Sequence, residues 1–181
     1  HCHIEGFSET TLSRLEYGDA DLYIGANTLR LFGLRNFPDW LRVADLRPVQ
    51  WVCVASKDHP TIRDEITEEQ YRTLPHVIGW PVSHTMPLEE YVRRLLDVEL
   101  NVRVTAQSLL EIPFLIAGTE LISTLPERLA TQLSAIAPIR TFPLPLRMQD
   151  TREVVAWHKR NEPDPGHAWL REMLIEGARE P

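Results

Sequence analysis

Two cysteines, Cys2 and Cys53, are all that the 181 residues contain. That is too few for a disulfide framework, and reduced thiols in a cytoplasmic protein are the simpler reading. No apolar run approaches the roughly 20 residues that a helix needs to span a bilayer, so a membrane protein is not expected. No charged, apolar, small-residue leader opens the chain, and secretion therefore has no support. Positive charge is short as well: 19 Lys and Arg stand against 26 Asp and Glu, a net charge of −7. Binding to nucleic acid depends on neutralising phosphates with Lys and Arg, so these residues are poorly suited to it. A Gly-rich phosphate loop, G-x-S-x-G and H-E-x-x-H are all missing. These absences favour a binding module without cofactor over an enzyme.

What is present is globular. Hydrophobic residues make up 43% of the chain, and the length suits one domain or two small lobes with a real core. Strands and helices alternate. "CHIEGF" reads as a short strand, and "SETTLSRLEYG" as a helix with Leu12 and Leu15 on one face and Gly18 as its stop. "DADLYIGA" reads as a buried strand. In "PVQWVCVASKDHP", Val49, Trp51, Cys53 and Ala55 fall on one face and Val52 and Val54 on the other. Apolar residues on both faces suit a parallel sheet covered on both sides. "TEEQYRTL" opens with the capping pattern Thr67-x-x-Gln70. Strands are expected at "PHVIGW", "NVRVTA", "ELISTLP" and "IRTFPL", and helices at "PLEEYVRRLL", "SLLEIPFLIAG" and "PERLATQLS". The second of these helices carries the box Ser108-x-x-Glu111, and Pro113 inside it predicts a kink or a short helix. The Arg-rich "LRLFGLRNFPDWLRVADLR" reads as an irregular surface connection. The alternation as a whole means an α/β fold.

Three clusters invite a chemical reading. "HCH" would put His1 and His3 on one strand face, yet two ligands do not make a zinc site. His158 and His167 flank the turn "EPDPG" in "VVAWHKRNEPDPGHAWLREML". There "REVVAWH" reads as a strand, Asp164 as a helix cap and Pro165 as the first helical residue. Trp169, Leu170, Met173 and Leu174 then form an apolar stripe. The run is first a strand, a turn and a helix, with no metal expected. Cys53 lies among apolar residues and reads as a core thiol rather than a nucleophile. A hydrolase or transferase using His84 or His158 as base would lack a recognisable nucleophile.

Polar strand ends are the stronger candidates. Ligands in open α/β sheets sit outside the carboxyl ends of strands, and helix N-termini attract anions. "GWPVSHTMP" places Ser83, His84 and Thr85 between a strand and a helix; "TAQSLLE" places Gln107 and Ser108 likewise; "YIGANT" offers Ala26, Asn27 and Thr28. An ordinary N-cap is an equal reading for Ser108, and a solvated loop residue for His84.

Taken together, these stretches resemble the effector-binding domain of LysR-type transcriptional regulators. "LSRLEYGDADLYIGA", "WVCVASKDHP", "IPFLIAGTELISTLPERLA" and "WHKRNEPDPGHAWLREML" carry the resemblance, in the right order. The last is similar to the ending found in the nodulation and salicylate-responsive subgroup. The resemblance implies two Rossmann-like lobes, as in type 2 periplasmic binding proteins, with a ligand cleft between them and two chain crossovers. Lobe one would comprise residues 1–71 and 150–181, and lobe two residues 72–149. It implies an effector contacted by Ala26, Asn27, Ser83, His84, Thr85, Gln107, Ser108 and Val155, either an aromatic acid or a phenol. DNA would be bound only through a helix-turn-helix domain outside these residues, in a homodimer or homotetramer. The family's first strand and helix have no counterpart ahead of "HCHIEGF" here, which implies an incomplete cleft and dimer interface. A solute-binding protein of a transporter is the competing expectation.

Overall fold

The computed structural model describes residues 2–4, 10–27, 37–79, 98–148 and 151–179. The chain forms two compact units, one of His1–Val49 with Asp150–Pro181 and one of Gln50–Gln149. Residues 50–71, read from the sequence as part of lobe one, pack in the second unit.

In unit one, helix α1 (Thr11–Tyr17) ends at Gly18, whose φ of 89° lets its N–H turn back to the Arg14 carbonyl. Leu15 is fully buried and Leu12 partly so, as their spacing predicts. Strands β1 (Leu22–Ala26), β2 (Leu41–Val49) and β8 (Thr151–His158) form a sheet in the order β1-β8-β2. Both pairings are antiparallel. Tyr23, Leu41, Val154 and Ala156 pack with Leu15 on one face.

The sequence reading missed β2, because its arginines suggested a solvated connection. Its charges are instead matched across the sheet: Arg47 pairs with Glu153 at 2.6 Å and Asp45 with Arg152 at 2.8 Å. A bulge falls between Asp45 and Arg47. Pro48 is tolerated because β2 lies at a sheet edge among the described residues. "CHIEGF" lies largely outside the described residues; Cys2–Ile4 carry no regular structure.

Beyond β8 comes a 3-10 turn (Lys159–Asn161), then helix α5 (Pro165–Gly177). The α5 cap is as read: the Asp164 carboxylate accepts the His167 N–H at 2.7 Å, with Pro165 at the first helical position. The apolar stripe is not as read. Trp169 is 61% and Met173 50% exposed, and no residue of α5 is buried.

Among the described residues unit two holds a five-stranded mixed sheet in the order β5-β4-β6-β3-β7, built from Trp51–Ser56 (β3), His76–Gly79 (β4), Val102–Ala106 (β5), Ile122–Pro126 (β6) and Ile139–Pro143 (β7). Val52 and Val54 join one core with helices α3 (Ile112–Ile116) and α4 (Glu127–Leu133). Cys53 and Ala55 join the opposite core with Tyr71 of α2 (Glu68–Thr73), Ile62 and Ile66. The two-faced burial was legible, but the strand direction was not: β3 runs antiparallel to both neighbours, β6 and β7. Among the described residues the parallel pairings are those of β4 with β5 and with β6.

The capping box of α2 forms in full, Thr67 with the Gln70 N–H and Gln70 with the Thr67 N–H. The box expected at Ser108 does not. Helix α3 begins only at Ile112, with Pro113 in its first turn, as that proline's missing N–H requires. It is short, and Gly118 beyond it adopts φ 72°.

His76 is wholly buried, with Nε2 2.6 Å from the Tyr71 carbonyl and no partner for Nδ1 among the described residues. Burial lowers its pKa from 6.5 to about 4, with the Tyr71 hydrogen bond opposing. Between those pH values the unfolded chain binds a proton that the folded chain refuses. Stability is therefore complete above 6.5 and declines as pH falls toward 4. The expected loss is on the order of 3 kcal/mol. Denaturant melts from pH 7 to pH 4 should show it, and His76→Gln should flatten that slope.

Candidate functional site

The strand ends of each unit can be built separately. In unit one, Ala26 closes β1 opposite Glu153, and the Asn27 N–H donates to the Arg152 carbonyl at 2.6 Å. The Tyr23 hydroxyl donates to the Ala26 carbonyl at 3.0 Å. Gly25 makes that possible, since a Cβ there would lie 2.5 Å from the Tyr23 hydroxyl oxygen. Sequence reasoning overlooked this pair, although a glycine within a strand is the signal for such close approach. The Asn27 Oδ1 is buried without a hydrogen-bond partner among the described residues, a cost that a donor from a ligand would relieve.

Val155 lies in the middle strand between Ile24 and Ala44. Directly opposed residues of antiparallel strands share a face. Val155, Ile24 and Ala26 therefore lie on the face opposite Tyr23 and Val154. Val155 is completely buried whereas Ile24 is 52% exposed.

In unit two, β4 and β5 are parallel, so their carboxyl ends leave from one edge, with Gly79 opposite Ala106. Gln107 is exposed there. The Ser108 Oγ accepts the Leu110 N–H at 3.2 Å, and its carbonyl accepts the Glu111 N–H at 3.2 Å. Ser108 thus shapes a turn before α3 rather than capping the helix. Leu109 packs onto Gly79, where a Cβ would meet Leu109 Cδ2 at 2.3 Å. Ser83, His84 and Thr85 lie outside the described residues, as does the helix expected at "PLEEYVRRLL".

The histidine clusters have structural partners. His158 stacks on Trp40 at 5.2 Å, and its Nδ1 accepts the Arg160 N–H at 2.9 Å. Local desolvation lowers its pKa, as do the cations of Arg160, Lys159 and Arg42. His167 lies 3.1 Å from the Asp21 carbonyl through Nε2, and Arg171 donates to its Nδ1. Arg171 also sits over the Trp157 ring at 4.9 Å. No group of three or more metal-ligating side chains occurs among the described residues, and none of their helices is long and apolar enough to cross a membrane.

Cys53 is fully buried, and burial pushes its thiol up to about 12, against the Val54 backbone hydrogen bond. Cys2 is exposed. A chromogenic disulfide reagent at neutral pH should therefore titrate one thiol in the folded chain and a second only after denaturation. Fast reaction of both would contradict the burial.

Comparison with known proteins bears on this arrangement. The model of the LysR substrate binding domain matches residues 4–179. The HTH-type transcriptional regulator SyrM of Rhizobium etli is 29% identical over 165 residues, 88% of this chain and 46% of that protein. Nodulation protein D 2 of Rhizobium leguminosarum bv. phaseoli is 32% identical over 136 residues, 75% of this chain and 43% of that protein. The chain thus spans less than half the length of these relatives. Among solved structures, the effector binding domain of QuiR in complex with shikimate superposes with a TM-score of 0.71 at 16% identity, over 96% of this chain and 78% of that one. That likeness shows a shared α/β fold of the type 2 periplasmic-binding-protein kind.

Proposed function

The chain belongs to the LysR substrate binding domain family, and from that premise we propose that it senses a small-molecule effector for a LysR-type transcriptional regulator. The family match across residues 4–179 carries this reading. Regulators among the relatives point the same way and away from a transporter's solute-binding protein. The chain acts by binding rather than by turnover. Its parent works in the cytoplasm as a homodimer or homotetramer and reaches DNA through an N-terminal helix-turn-helix domain. The acidity of these residues, −7 overall, agrees with leaving the phosphates to another domain.

The effector is an aromatic acid or a phenol. Ala26, Asn27 and Val155 contribute from unit one; Ser83, His84, Thr85, Gln107 and Ser108 contribute from unit two. The QuiR domain, of the same fold, holds shikimate, a hydroxylated ring acid. The Asn27 Oδ1, buried and without a partner among the described residues, supports an effector that donates a hydrogen bond. Binding alters regulation only if the effector prefers one arrangement of the protein over another.

Calorimetry with a panel of aromatic acids, phenols and shikimate should reveal a binder. Asn27→Ala, His84→Ala and Gln107→Ala should each weaken it roughly tenfold or more, as when a hydrogen-bonding partner is removed from a desolvated site. A panel without heat, or a binder indifferent to all three substitutions, counts against the reading.

A further inference from the structure

A hollow lies within unit two, just beyond the carboxyl end of β3. It is open to solvent, measures about 530 Å³ and is lined by Lys57, Asp58, Arg63, Asp64 and Arg140 around His59. Its floor is tied from within. Buried His59 accepts the Ile62 N–H at 3.2 Å through Nδ1, and its Nε2 lies 3.1 Å from the Glu120 carbonyl. Arg140 donates through Nη2 to the Arg63 carbonyl at 2.7 Å and lies over the Phe142 ring at 5.0 Å. The Lys57 N–H donates to the Pro138 carbonyl at 2.9 Å. Two side chains and the neighbouring strand thus fix the backbone of one short segment.

The charges on this fixed segment are unspent. Lys57, Asp58, Arg63 and Asp64 are exposed, and their side chains make no ion pair or hydrogen bond with a described residue. Opposite charges thus share one hollow without neutralising each other. A simple anion entering it would meet Asp58 and Asp64; a simple cation would meet Lys57, Arg63 and Arg140. A molecule carrying both charges a few ångströms apart satisfies both sets. Two charge-assisted contacts on a preorganised frame also discriminate better than one.

We propose that this hollow binds a free α-amino acid. Lys57, Arg63 and Arg140 receive the carboxylate, and Asp58 and Asp64 the ammonium. This site shares no residue with the effector site proposed above and does not depend on it.

Amide NMR of the full chain tests it by titration with the common α-amino acids, using acetate and methylammonium as single-charge probes. At least one amino acid should give saturating shifts over residues 57–64 at or below about 10 mM, a modest affinity for so open a site. Each single-charge probe should fail to saturate there. Arg63→Gln and Asp64→Asn, both exposed and with otherwise unchanged spectra expected, should each weaken binding roughly fivefold or more, the scale of one charge-assisted contact. No saturating amino acid, saturation by acetate alone, or indifference to both substitutions overturns the proposal.

Discussion

Unit one depends on a strand that arrives late. β8 inserts between β1 and β2 and hydrogen-bonds antiparallel to both, so it alone joins them into one sheet among the described residues. Its Val154, Val155 and Ala156 are wholly buried. The partners are far apart in sequence, as in the Arg47–Glu153 contact. Such non-local pairing carries a loop-closure cost before it yields any stabilisation. Unit two needs no such return, because its strands come from one continuous segment, Gln50–Gln149. β3 anchors it by burying Val52 and Val54 toward one core and Cys53 and Ala55 toward the other.

Local chemistry was the readable part of the sequence. The Thr67–Gln70 box, the Asp164 cap with Pro165, and the Gly18 stop each involve residues within four positions of one another, and each forms as read. What escaped depends on partners elsewhere. β2 looked solvated because the carboxylate of Glu153 and the cation of Arg152 lie about a hundred residues away. The alternation in β3 fixed which residues share a face but carries no information about strand direction. Apolar spacing on α5 likewise marks a stripe without saying what covers it. Ser108 is a subtler failure: its box pattern was present, but Pro113 delayed the helix and left Ser108 to a turn.

The candidate site follows the same division. Sequence position alone located Ala26, Asn27, Gln107 and Ser108 at carboxyl ends of strands, where the structure also has them. How those ends are held was not legible. Tyr23 reaching over Gly25 to the Ala26 carbonyl, and Leu109 seated on Gly79, both require a missing Cβ and a neighbour placed by the sheet. His158 and His167, which drew attention as possible chemistry, are committed to backbone and ring partners instead.

The register of β2 against β8 has one more implication. Val49, the last residue before the second unit, lies directly across from Thr151, just after it. Topologically, a hundred-residue body occupies the place of a hairpin loop. A two-residue Asn-Gly turn has the twist to join such opposed antiparallel positions. Unit one could thus be recast as a continuous miniature domain without unit two.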